Sequence, residues 1–74
     1  MKTIYDVQQL LKKFGTFIYV GDRLADIELM EDEVQTLYEA QCITKDDYQM
    51  AILLLRSEIA LLRDKQKGEN GLNE

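Results

Sequence analysis

Three apolar stripes repeat at three- and four-residue steps along this chain, with glycines or capping side chains between them, and that pattern admits little besides a bundle of helices. Ile4, Val7, Leu10, Leu11 and Phe14 form the first stripe. Leu24, Ile27, Met30, Val34, Leu37 and Tyr38 form the second, and Tyr48, Ile52, Leu55, Ile59 and Leu62 the third. The boundaries follow from cap chemistry. Thr3 caps the first helix, with Asp6 three residues on in the place of the capping-box acid. Gly15 supplies the left-handed residue that ends it, just after Lys12 and Lys13, whose charges suit the negative end of the helix dipole. Asp22 caps a second helix that runs to about Gln41, and Thr44 with Asp47 opens a third.

The third helix carries a second apolar row, Met50, Leu53, Leu54 and Leu61, so it is expected to lie centrally, packed against both other helices or against a second subunit. Its last turn is basic, with Arg63, Lys65 and Lys67. From Gly68 the sequence GENGLNE has two glycines and no periodicity. The expected organisation is an all-α, compact three-helix bundle over residues 1–67 and a flexible tail over 68–74.

The connector between the first two helices does not fit the same pattern. Thr16, Phe17, Ile18, Tyr19 and Val20 have strand-like composition, yet no other segment could pair with them as a strand. They are expected to form an ordered loop or a single helical turn whose aromatics plug one end of the bundle. GTFIYVG is not a phosphate loop, because it lacks the GK[ST] ending and the Rossmann glycine spacing, and no strand precedes it.

Composition narrows the function classes. A single cysteine, Cys42, permits no internal disulfide, and the absence of histidine removes the commonest metal ligand and general base. Asp46 and Asp47 would raise rather than lower the Cys42 thiol pKa, so Cys42 reads as a small apolar filler in a turn, not a nucleophile. Glu28, Glu31, Asp32 and Glu33 read as a solvated acidic face, since so small a chain can hardly set carboxyls across a glycosidase cleft. The expectation is a non-enzymatic protein without cofactor or metal. No signal-peptide pattern opens the chain, and the longest apolar run, Met50 to Leu55, is far too short to span a bilayer, so a cytoplasmic protein is expected.

The net charge of −5 is unevenly spread: residues 1–23 carry +2, residues 24–47 carry −7 and the remainder is balanced. An acidic total disfavours non-specific nucleic-acid binding without excluding a small basic face. Single strands are held by cations together with aromatics on which bases stack. Lys12, Lys13 and Arg23 flank Phe17 and Tyr19, and Arg56 and Arg63 share a face of the third helix. The opposing reading makes Phe17 and Tyr19 core plugs and the cations ordinary surface. Arg23 and Asp26 could likewise pair with each other in the first turn of the second helix or clamp the loop. The partners expected are therefore single-stranded DNA or RNA. The alternative is a protein partner or homo-oligomer using the apolar face of the third helix and the acidic face of the second.

The run YDVQQLLKKFGTFIYVGDRLADIELMEDEVQTLYEAQCITKDDYQMAILLLR, and within it FGTFIYVGDR and DIELM, resembles the YqgQ-like family of small bacterial proteins of unknown function. That resemblance implies a compact three-helix bundle and a role in binding single-stranded nucleic acid. LYEAQCITKDDYQMAILLL is also similar to a short bacterial helix-turn-helix module. Ile43, Thr44, Asp47 and Tyr48 fit that module, whereas Gln41 and Cys42 stand where it prefers a glycine cap.

Overall fold

The computed structural model describes residues 1–72, with side chains described as far as residue 65. Three helices follow one another: α1 (Ile4–Lys13), α2 (Arg23–Glu39) and α3 (Lys45–Leu72). Each begins as its cap residues dictate. The Thr3 hydroxyl accepts the Asp6 amide, and the Asp6 carboxylate accepts the Thr3 amide at 3.0 Å, a reciprocal capping box. Asp22 accepts the Ala25 amide at 3.2 Å, and Thr44 accepts the Asp47 amide at 3.1 Å.

Both interhelix turns close in the same way. Gly15 takes φ 79°, and the Thr16 and Gly15 amides donate to Leu11 and Lys12 at 3.0 and 2.9 Å. That is the paired hydrogen-bond pattern of a Schellman cap. After α2, Gln41 adopts φ 61°, and the Cys42 and Gln41 amides donate to Leu37 and Tyr38 at 2.8 and 2.9 Å. The second turn is thus built around a left-handed residue without its usual glycine.

The core is one cluster: Val7 and Leu11 of α1, Ile27, Met30, Val34 and Leu37 of α2, and Ala51, Ile52 and Leu55 of α3. Full burial of such aliphatic side chains contributes about 1.5 to 3 kcal/mol each. At the far end of the α2–α3 pair the rings of Tyr38 and Tyr48 stack with centroids 4.2 Å apart and planes 9° from parallel. The all-α bundle expected from the stripes is the observed fold.

Four details differ from expectation. Met50, Leu53 and Leu61 of the second apolar row are exposed, because the core occupies only the opposite side of α3. Cys42 is exposed rather than a filler, since its place two residues beyond the α2 cap sets it outside the packed layer. α3 continues past Gly68, where the tail over 68–74 was expected to begin, as far as Leu72. A helical glycine costs only about 1 kcal/mol relative to alanine, and no proline interrupts the stretch. Residues 73 and 74 of that expected tail lie outside the described residues. The fourth difference concerns the connector between α1 and α2.

Candidate functional site

That connector carries no regular secondary structure, and its side chains alternate from Thr16 to Tyr19 before Val20 stays exposed. Thr16 and Ile18 turn inward and are half-buried, Ile18 against the core, while Phe17 and Tyr19 project outward with 75% and 86% of their surface exposed. The aromatics are therefore not plugs. One half-buried aliphatic, Ile18, packs against the core at this end, and the alternation leaves its two neighbours in solvent.

The segment is fastened between the two rings and on either side of them. The Thr16 amide donates to Leu11 in the α1 cap, and its hydroxyl lies 3.3 Å from Glu33 Oε1. Ile18 packs against the core. The Val20 amide donates to Asp26 Oδ1 at 2.7 Å. Asp26 is the single buried charged residue among the described residues, at 8% exposure, and it sits in the first turn of α2, where a carboxylate is favoured by the helix dipole. Phe17 and Tyr19 thus stand on a backbone held at Thr16, Ile18 and Val20, so little ordering is needed before they meet a ligand.

Two adjacent depressions flank the segment. The first, of about 310 Å³, lies between α1 and the loop and is lined by Gln8, Gln9, Lys12, Phe17, Ile18 and Tyr19, with Leu11 and Met30 beneath. The second, of about 330 Å³, shares Gln8, Ile18, Tyr19 and Met30 with it and reaches Arg23 and Asp26. Lys12 and Arg23 therefore border the surface that carries the aromatics. Lys13 does not: it lies round α1 in a depression with Met1, Lys2, Asp6 and Asp47.

The arginines are all engaged across the α2–α3 seam. Arg23 donates through Nε and Nη2 to Glu58 Oε2 at 3.3 and 3.0 Å, not to Asp26 as the sequence spacing allowed. Arg56 pairs with Glu31 at 3.3 Å and Arg63 with Glu28 at 3.5 Å. These contacts also revise the acidic face of α2: Glu28 and Glu31 serve α3 arginines and Glu33 meets Thr16. Arg56 and Arg63 thus meet Glu31 and Glu28 across the seam, a pairing no single-helix pattern reveals. Arg56 and Arg63 line neither depression beside the aromatic segment, and Lys12, Phe17, Tyr19 and Arg23 are the predicted residues that come together.

Of the two structural readings of Arg23 and Asp26, pairing or clamping the loop, Asp26 takes the second, while sequence reasoning passed over Gln8 and Gln9 as residues that line a depression. Among the described residues no group of three or more His, Cys, Asp or Glu side chains could hold a metal ion. No helix among them is long and apolar enough to cross a membrane.

Comparison with known proteins matches residues 1–61 to the YqgQ-like family. An uncharacterised protein of Bacillus subtilis (strain 168), YqgQ, is 49% identical over 59 residues, spanning 80% of this chain and 83% of that relative.

Proposed function

The chain belongs to the YqgQ-like family, and we propose that it is a non-catalytic binding module that holds single-stranded nucleic acid on the Phe17–Tyr19 segment. The observation that carries this reading is the exposure of Phe17 and Tyr19 on a fastened backbone with Lys12 and Arg23 at its borders. Exposed aromatic rings on a rigid support are stacking platforms, each worth about 1 to 3 kcal/mol per base, and a neighbouring cation supplies the phosphate contact. A duplex reader would need a basic helix face for the groove, and the arginines that could form one on α3 are paired with glutamates.

Fluorescence anisotropy with labelled single-stranded oligonucleotides tests the reading. Binding tighter than about 10⁻⁴ M at low salt, weakened tenfold or more by Phe17→Ala with Tyr19→Ala, is the expected result. An affinity no better than ordinary non-specific binding, or one indifferent to both rings, refutes it.

A second reading rests on a different observation. Met50, Leu53 and Leu61 are exposed on the side of α3 that faces away from the core, a placement that favours a second copy of the chain packing there. Sedimentation across a concentration series decides it, and a strict monomer at every concentration removes its support.

A further inference from the structure

We infer that a bound single strand continues from the Phe17–Tyr19 segment across the solvent face of α1, where Tyr5 is a third stacking ring and Lys12 and Lys13 meet phosphates. The inference rests on the reading of Phe17 and Tyr19 as stacking platforms and adds the strand's path. Tyr5, Gln9 and Lys12 recur at i, i+4 and i+7, and Lys13 follows Gln9 by four, so they share the side of α1 turned away from buried Val7 and Leu11. Tyr5 is 64% exposed there, a ring the core does not use. It stands about two turns, or about 10 Å, along the helix from Lys12. Two depressions meet on this face. The one beside the rings is lined by Gln9 and Lys12, the one round α1 by Gln9, Lys2 and Lys13, and Gln9 borders both.

The charges favour this direction over the opposite one. Every ion pair among the described residues uses an arginine, which leaves Lys2, Lys12 and Lys13 unpaired. On the α2 side of the rings Arg23 is held by Glu58, and the depression there contains Asp26. Asp6 and Asp47 also line the depression round α1, but both are half-buried, and the Asp6 carboxylate accepts the Lys2 and Thr3 amides. Unpaired lysines next to an exposed ring are the pairing of cation and platform that holds a single strand. Phosphate contacts from Lys12 and Lys13 give a salt slope of about −1.4 on logarithmic axes.

Anisotropy of a labelled dT strand of about ten nucleotides over a salt series is the test. Tyr5→Ala should weaken binding about fivefold or more at low salt, the loss of one stacked base, and leave the salt slope unchanged. Lys13→Ala should make the slope shallower by about 0.7, one phosphate contact, whereas Lys45→Ala, at the start of α3, should leave it as it was. These positions are exposed and alanine suits a helix, so the variants keep the fold, which circular dichroism checks. Binding that needs Phe17 and Tyr19 yet is indifferent to Tyr5→Ala, a slope unmoved by Lys13→Ala, or one that Lys45→Ala changes equally overturns the path across α1 and leaves the nucleic-acid reading standing. Failure of the strand to bind overturns both.

Discussion

Asp26 Oδ1 accepts the Val20 amide at 2.7 Å, so a buried carboxylate of α2 fixes the far end of the segment on which Phe17 and Tyr19 stand. Hydrogen bonds to a charged acceptor are worth about 1.5 to 3 kcal/mol, and Asp26→Ala should cost a stability in that range by urea denaturation. Asp26→Asn keeps an acceptor oxygen and loses the charge, so its cost should be smaller. Amide exchange at Val20 and its neighbours should quicken in the alanine variant ahead of the helices. Unchanged exchange there would mean that Thr16 and Ile18 hold the segment without Asp26.

Asp6 gives the bundle a pH dependence at its other end. The Lys2 amide, at 2.7 Å, and then the Thr3 amide, at 3.0 Å, donate to its carboxylate and hold its pKa below the ordinary 3.8. A folded pKa lower than the unfolded one means that the contribution is complete above about pH 4 and is lost as pH falls through the folded value. Amide proton shifts of Lys2 and Thr3 should therefore titrate together, with a midpoint below 3.8. In Asp6→Asn that transition should vanish. A midpoint at or above the ordinary value would contradict the capping box.

The two helix ends make a matched pair of backbone experiments. Gly15 at φ 79° has open space where a Cβ would stand, so Gly15→Ala meets no clash and reports conformational strain, a loss of about 1 kcal/mol. Gln41 at φ 61° already bears that strain, and Gln41→Gly should stabilise by about 0.5 to 1 kcal/mol after the greater freedom of glycine in the unfolded chain is deducted. A rise in Tm of a few degrees is the readout. A fall would show that the Gln41 side chain offsets its own strain.

That comparison also marks how much could be read beforehand. Gly15 announces its turn, since few residues other than glycine enter the left-handed region freely. Gln41 gives no such sign, because glutamine is not a residue type that marks a left-handed turn, although the same local backbone hydrogen bonds close it. The stripes and caps were legible for the same reason as Gly15: they act within a few residues of themselves. Long-range pairings were not: the one acidic partner the sequence spacing offered Arg23 was Asp26, three residues away, when its partner Glu58 lies 35 away in sequence. The exposed state of Phe17 and Tyr19 depended on a similar remote fact, namely that Ile18 finds the core first.

The Arg23–Glu58 pair separates stability from binding. It is largely exposed, and such pairs contribute about 0.2 to 1 kcal/mol, so Glu58→Gln should lower stability by no more than that. The same change frees the Arg23 guanidinium beside Tyr19 for a phosphate. Single-strand affinity should rise several-fold at low salt, with the salt slope steeper by about 0.7, one further contact. Affinity that is unchanged or reduced would place Arg23 outside the bound strand's path.

Leu53 and Leu55 lie two residues apart on α3, yet one is 65% exposed and the other fully buried. Leu55→Ala opens a cavity in the buried core cluster and should cost about 2 to 5 kcal/mol. Leu53→Ala on a monomer touches no core contact, and its effect should stay within about 0.5 kcal/mol. If the outward face of α3 packs against a second copy, Leu53→Ala should instead weaken self-association in sedimentation and make the Tm less dependent on protein concentration. A concentration-independent Tm in both the parent and the variant would assign that face to solvent and leave the aromatic segment as the binding surface.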